Sequence, residues 1–252
     1  MNAMLITYIL VFARISSFMV SVPGFSIKQA PIILKVALSF FISVIVYSMI
    51  PDLIVVPNLI VFTFLVIKEI LVGIALGFVV QLIFSAVEMA GQLIDFQVGF
   101  SMGAAYDPTV GIQASNYGRL YYWLALMLFF LSDMHHIILK NLISSFDMLP
   151  LTEASLGGNT VEGIVRLFVE MFQVSFMLAA PVVLVALVTD CVLGIVSRSV
   201  PQINVLMLGM PMKILISFFF ILLFLPNFMQ LVNNIFPEID RYMKEFVESL
   251  AR

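Results

Sequence analysis

Long apolar runs recur along the whole chain, and they limit the folds that are open to it. The first run extends from Met4 to Val22 and the second from Pro31 to Ile50. About 20 consecutive apolar residues in a helix can cross a hydrocarbon layer of ~30 Å. With 62% hydrophobic and 11% charged residues among 252, the chain is far more apolar than a soluble domain. We therefore predict an all-α integral membrane protein with about six long apolar helical segments.

After these two runs, further apolar segments are predicted as helices over residues 58–99, 117–147, 160–188 and 203–235. The first of these is long enough for one very long helix or a broken pair. Gly73 and Gly77 are its candidate weak points, since a glycine in a helix interior costs ~1 kcal/mol. Pro237 opens an amphipathic tail, 237–252. No highly charged or Pro/Ser-rich linker separates these segments, so we expect 1–252 to form a single domain.

One polar stripe runs along the last part of the predicted helix 58–99. Its members recur at helical spacing, which places them within ~40° of one line on a helix. They are Gln81, Ser85, Glu88, Gln92 and Asp95. The helix then enters a Gly/Ala-rich stretch that contains the turn dipeptide Asp107-Pro108. The stripe makes one side of this predicted helix polar, whereas its other faces are apolar.

Charged residues also lie inside the apolar runs, where a charge at the centre of a bilayer costs at least ~2.5–3.5 kcal/mol. The charges that share this setting include Arg14, Lys35, Lys68, Glu69 and Lys213. They cannot all face lipid. The basic residues between the runs also lack the clear bias to one side that a simple membrane protein would show. We predict that several of these helices pack against partner proteins, with these charges at the interfaces.

One motif is typical of an enzyme nucleophile. The G-x-S-x-G pattern at 99–103 centres on Ser101, and His135 and His136 lie downstream as candidate bases. A nucleophile elbow follows a strand, whereas this pattern follows a predicted helix. A Gly-rich helix exit explains it better, so we predict no catalytic residue. An intramembrane serine hydrolase, which would depend on Ser101, is kept as an alternative.

A second polar line is predicted on the later half of segment 117–147. It consists of Asp133, His136, Lys140, Ser144 and Asp147. Asp133, His135 and His136 are candidate metal ligands, but adjacent histidines point ~100° apart on a helix, and only His136 shares the line of Asp133. We therefore predict no metal site.

Other ligand classes find no support in the sequence. Phosphate loops and dinucleotide fingerprints are absent, so no cofactor is predicted. The 12 Lys and Arg residues are scattered singly, which gives no nucleic-acid signal. The single cysteine, Cys191, excludes an internal disulfide.

Short motifs follow one another along nearly the whole chain. They are Arg14-Ile-Ser16, Pro23-Gly24-Phe25, Gly91 to Ser101, Asp107-Pro108, Gly118-Arg119, Asp133-Met-His-His136, Leu149-Pro150 and Pro201-Gln-Ile-Asn204. Their combination, in this order, resembles the FliR family of flagellar and type III secretion export-gate proteins. The adjacent His pair is a small departure, since one His is expected there.

The resemblance implies a subunit of an export gate in the bacterial inner membrane, at the flagellar basal body. In such gates one copy of the chain assembles with several copies of FliP and FliQ, and the helices form tilted hairpins raised out of the usual membrane plane. Membrane lipid is expected as a further contact. The acidic side chains of Glu88 and Asp95 are then expected to face partner helices or the lumen. FlhB is expected at the gate entrance and FlhA beneath it. The gate would conduct unfolded flagellar proteins and would catalyse no reaction.

The same resemblance implies a pore plug. It maps onto a loop that consists of Met102, Gly103, Ala104, Ala105, Tyr106, Asp107, Pro108, Thr109, Val110, Gly111 and Ile112. We expect its small and apolar side chains to close the lumen at rest, and its Gly and Pro residues to set where it bends. An injectisome homologue is an alternative within this class. A secondary transporter, which also places charges in broken apolar helices, is an alternative outside it.

Overall fold

The computed structural model describes residues 3–26, 31–51, 53–100, 115–154, 158–199 and 205–250, with the backbone alone for 158–161 and 205–208. Within these ranges the chain forms seven α-helices and no β-strand. The helices are α1 (Ala3–Ser21), α2 (Ile32–Met49), α3 (Leu59–Val98), α4 (Asn116–Leu131), α5 (Met134–Met148), α6 (Gly158–Ser199) and α7 (Val205–Leu250). The prediction of an all-α chain is confirmed.

Most of these helices have the length and composition of membrane spans. Five are long and apolar enough to cross a membrane, and the count is six if α4 and α5 are taken together as one bent span. Helix α2 is among the helices least covered by the rest of the chain, and its Ile33 is 81% exposed. An apolar surface of this kind is suited to lipid or to another protein and not to water. The prediction of a membrane protein with about six long apolar helical segments is confirmed.

Helix α3 runs unbroken for 40 residues, so neither of its candidate weak points interrupts it. A Cβ atom at Gly73 would collide with the Ser17 side chain and the Arg14 carbonyl, and one at Gly77 would press on Ser21. Both glycines therefore let α3 pack directly against α1, as small residues do between membrane helices. Their role is close packing and not a break.

The prediction of one helix over 117–147 is wrong at one point, because α4 and α5 are separated at Ser132 and Asp133. Asp133 has a φ angle of 55°, in the left-handed region. The Ser132 N–H still donates to the Leu128 carbonyl at 2.8 Å, whereas the His136 N–H donates to the Asp133 carbonyl at 3.0 Å and begins α5. No Gly or Pro marks this break, and Asp is among the few residues that tolerate it, so hydrophobic periodicity missed it.

Two predicted helix ends are also wrong. Helix α6 passes through Pro181 and continues to Ser199, so it does not end at residue 188 as predicted and it includes Asp190. Helix α7 continues through Pro237 to Leu250, so the predicted tail is part of one 46-residue helix. A proline removes one backbone donor and favours a kink, but packing along a long helix can outweigh that local cost.

The chain divides into two compact units. Unit 1 comprises Met1–Ile83, Asp133–Phe168 and Phe236–Arg252, and unit 2 comprises Phe84–Ser132 and Val169–Ile235. In unit 1 the core includes the inner face of α1, and in unit 2 it includes Phe84 and Phe129, whose rings meet edge-on at 5.5 Å. Each unit combines segments that are far apart in sequence. The single domain over 1–252 stays a prediction.

Candidate functional site

The predicted plug, 102–112, lies outside the described residues, but the structure describes both of its flanks, and they lie in unit 2. On the first flank α3 ends at Val98 and Gly99 adopts a φ of 101°. This left-handed conformation suits glycine and is a common helix ending. The backbone N–H groups of Gly99 and Phe100 both donate to the Asp95 carbonyl, at 3.1 and 3.0 Å. Asp95 therefore fixes the exit from α3.

The second flank returns to the same residue. Ser115 caps the start of α4, where its hydroxyl accepts the Gly118 N–H at 2.8 Å and donates to the Asp95 carboxylate. The Tyr117 N–H also donates to that carboxylate, at 3.1 Å. The Asp95 side chain is buried, with the residue 4% exposed. We call Asp95, Gly99, Ser115 and Tyr117 the Asp95 anchor, because it joins the two flanks of 101–114.

Two glycines bring α3 and α4 close enough for these bonds. A Cβ atom at Gly91 would collide with the Tyr117 backbone carbonyl and the Gly118 nitrogen. A Cβ atom at Gly118 would collide with Ser115 and would come within 3.1 Å of the Glu88 carbonyl. The backbones of the two helices are therefore in direct contact beside the Asp95 anchor.

Tyr117 extends the Asp95 anchor to α7. Its ring meets Phe100 at 5.6 Å and Phe218 at 5.4 Å between centroids, and its hydroxyl lies 2.6 Å from the Ser217 hydroxyl. A buried tyrosine needs such a partner for its O–H. The sequence offered no signal for this role, because the contacts join Tyr117 to residues about 100 positions later in the chain.

A second polar group lies near Gly99. Asp190 of α6 forms an ion pair with Lys213 of α7 and accepts a hydrogen bond from the Gln97 side chain at 3.2 Å. These three side chains, with Gly99 and Met210, line a groove of unit 2. Lys213 was predicted at a partner interface, and within the chain it pairs with Asp190. That pairing was hidden from sequence reasoning, because the predicted helix ended at residue 188 and left Asp190 outside it.

The members of the polar stripe differ in exposure. Gln81, Ser85 and Gln92 are exposed, Glu88 is half-buried and Asp95 is buried. We expected both acidic residues to face a partner or a lumen. The Asp95 carboxylate instead binds α4 of its own chain, which leaves Glu88 as the acidic group of the stripe that is still partly accessible.

Unit 1 holds a fully buried ion pair between Arg14 of α1 and Glu69 of α3, with 2.6 Å between Nε and Oε2. Arg14 Nη1 also donates to the backbone carbonyls of Ser145 and Leu149, at 3.3 and 3.0 Å. The second Glu69 oxygen accepts the Thr152 N–H at 3.1 Å. The pair therefore binds α1 and α3 to the C-terminal end of α5, where a cation is favoured by the helix dipole.

The two remaining predicted interface charges differ from each other. Lys68 donates to the Thr152 carbonyl at 2.7 Å, next to the bond that Glu69 makes to the same residue. Lys35 lies half-buried near the start of α2, most of which is exposed. Four of the five selected charges thus bind groups within the chain, and Lys35 stays the strongest candidate for a partner contact.

The enzyme motif gains no support from its surroundings. Ser101 lies outside the described residues, and the element before it is helix α3 and not a strand. His136, Lys140 and Asp147 of the second polar line are exposed, and Ser144 is half-buried, so that line forms an accessible face of α5. The side chains of Asp133, His135 and His136 at its start do come together, with their possible ligand atoms within 4.8 Å of one another.

Comparison with known proteins places this chain among bacterial export proteins. The model of the family "Bacterial export proteins, family 1" matches residues 5–239. Flagellar biosynthetic protein FliR of Bacillus subtilis (strain 168) is 35% identical over 235 residues, which cover 91% of this chain and 90% of the relative. FliR of Aquifex aeolicus (strain VF5) is 29% identical over 97% of this chain and 95% of its own. FliR of Escherichia coli (strain K12) is 26% identical over 94% of this chain and 91% of the relative.

Proposed function

This chain belongs to family 1 of the bacterial export proteins, and we propose that it is the FliR-type subunit of a flagellar type III protein export gate. The three relatives named above match this chain over 90% or more of their own length, and all three are named as flagellar biosynthetic proteins. This supports a flagellar role over the injectisome alternative. We place the chain in the bacterial inner membrane, at the flagellar basal body, where its apolar helices would contact lipid and partner subunits.

The single observation that carries the plug proposal is the Asp95 anchor. A plug must move without disturbing the helices that hold it. Asp95 holds the flank at Gly99 through its carbonyl and the flank at Ser115 through its carboxylate. Segment 102–112 would then close the lumen in the resting gate and swing aside for an unfolded substrate, while α3 and α4 keep their contact.

A conductance measurement tests the plug. Deletion of 103–111 from the assembled gate should let ions leak across the membrane, because the segment that closes the lumen is gone. Ser101→Ala, a change just before the plug, is the control, and it should change neither the leak nor secretion. An unchanged leak in the deletion variant would refute the plug role, and loss of secretion in the Ser101 variant would favour the hydrolase alternative.

The partners that we propose are FliP and FliQ in the gate, FlhB at its entrance and FlhA beneath it. Exposed apolar side chains on α2 and half-buried Lys35 support a surface that other subunits cover. Purification of the full chain in mild detergent should yield FliP and FliQ with it. Recovery of a well-folded, stable monomer alone would count against the gate and in favour of a secondary transporter.

Glu88 gives a second test of the gate, separate from the plug. Because it is half-buried and lies beside the Asp95 anchor, we propose that it faces a partner helix or the lumen. Glu88→Leu should reduce assembly with FliP or secretion, and Glu88→Gln should retain more of both because it keeps a polar group there. Equal secretion in wild type and both variants would remove this role.

A further inference from the structure

Three side chains with metal-binding donors meet where α5 begins, in unit 1. Asp133 occupies the left-handed position before the helix, and its Oδ1 lies 3.5 Å from Nδ1 of His136. The His135 and His136 rings stack obliquely, with centroids 4.0 Å apart. One possible ligand atom from each of the three residues lies within 4.8 Å of the other two.

We propose that Asp133, His135 and His136 form a binding site for a divalent transition-metal ion, a role independent of protein export. The sequence argument against such a site had two parts. Adjacent histidines on a helix point apart, yet these two rings lie 4.0 Å from each other. The other part, that only His136 shares the line of Asp133, assumed that Asp133 belongs to a regular helix. The break at Asp133 removes that assumption, since its side chain no longer follows the helical line. The two imidazoles and the carboxylate are then brought to one end of α5.

The donor set selects the class of ion. Two imidazole nitrogens and one carboxylate oxygen suit Zn²⁺, Co²⁺ and Ni²⁺ better than Ca²⁺ or Mg²⁺, which prefer oxygen alone. Bonds of ~2.0–2.1 Å around a tetrahedral ion place neighbouring donors ~3.3–3.5 Å apart. The distance between Asp133 and His136 already meets this requirement.

Small side-chain rotations complete the site. The side chains of Asp133 and His136 are 78% and 71% exposed, so both can turn toward His135 without displacing packed neighbours. Three donors leave a fourth position open in a tetrahedral site, as in zinc sites that also bind water. Water or a donor from a neighbouring protein would fill it.

Binding of Co²⁺ tests the proposal, because a tetrahedral site with nitrogen ligands gives the ion visible absorption. The full chain would be purified in mild detergent with an affinity tag that contains no histidine, in a Cys191→Ser background that removes the exposed thiol. Co²⁺ should bind at one site per chain, and Zn²⁺ should displace it. Lys140→Ala and Asp147→Asn, which change other exposed charges of α5, should bind as the parent does.

Variants of the three ligands decide the outcome. Mutation of a residue that only supports a metal ligand typically lowers metal affinity by ~10–100-fold. His136 and Asp133 would bind the metal directly, so His136→Gln or Asp133→Asn should weaken Co²⁺ binding at least as much. His135→Gln should do the same, and circular dichroism checks that each variant keeps its helices. If the triple variant binds Co²⁺ as tightly as the parent, or if the parent binds none, the site does not exist.

Discussion

The carboxylate of Asp95 accepts the backbone N–H of Tyr117 at 3.1 Å, although the two residues are 22 positions apart in the chain. The carbonyl of the same Asp95 accepts the Gly99 N–H at 3.1 Å. One residue thus fixes both flanks of segment 101–114. If that segment changed its shape, Asp95 would still hold its two flanks together.

Asp95→Leu should destabilise the chain, because it leaves the Ser115 hydroxyl and the Tyr117 N–H without their buried acceptor. A buried group that loses its partner costs ~1–3 kcal/mol. Asp95→Asn keeps one acceptor oxygen and should cost less. Unfolding of both variants in detergent measures the difference, with Gln92→Leu on the exposed part of the stripe as the control. Equal stability of Asp95→Leu and Gln92→Leu would contradict the anchor.

Replacement of glycines by alanine should change the stability of the chain in opposite directions, depending on the position. Gly91→Ala and Gly73→Ala place a methyl group against a neighbouring backbone, so both should lower the unfolding temperature. A Cβ atom at Gly163 or Gly194 meets nothing within 4 Å. Alanine there should raise stability by ~0.5–1 kcal/mol, because it favours the helix over the unfolded chain. A higher unfolding temperature for Gly91→Ala or Gly73→Ala would show that the close helix contacts are absent.

Arg14→Leu should be among the most damaging single changes in unit 1. Removal of one partner from a buried ion pair costs ~3–5 kcal/mol, since the other charge stays buried without compensation. The double variant Arg14→Leu with Glu69→Leu removes both charges and should recover much of the loss. Chemical unfolding of the three proteins in detergent is the measurement. A double variant no more stable than the single one would show that the hydrogen bonds to Ser145, Leu149 and Thr152 dominate.

Lys213→Ala should cost far less than Arg14→Leu, although both residues form ion pairs with an acidic side chain. The side chains of Lys213 and Asp190 are 20% and 39% exposed, and such pairs contribute ~0–1 kcal/mol. Comparison of the two unfolding free energies under the same conditions tests this difference. A loss as large as that of Arg14→Leu would contradict the weak contribution expected of a partly exposed ion pair.

Hydrophobic runs were enough to predict the fold class, because a helix that crosses a membrane needs a continuous apolar length. They also located α1, α2 and α3 to within a residue or two. The same runs could not show the break at Asp133. Its cause is one left-handed residue inside an apolar stretch, and apolar periodicity does not report a single backbone angle.

Sequence spacing predicted a polar stripe but not what each member contacts. The stripe carries Asp95 and Gln92 on one side of a helix, yet Asp95 is buried by α4 and Gln92 is exposed. That difference depends on Gly91 and Gly118, which let a second backbone approach one end of the stripe. Contacts between distant segments decide the roles of such residues, and spacing within one helix contains no information about them.

The partners of Arg14 have a consequence for biogenesis. Glu69, Ser145 and Leu149 all follow α1 in the chain, so this helix is synthesised before the groups that bind Arg14. An arginine in that position is tolerated by insertion at a cost of ~2.5–3.5 kcal/mol. The N-terminal helix therefore reaches its final place only after about three fifths of the polypeptide has been synthesised, when Leu149 arrives.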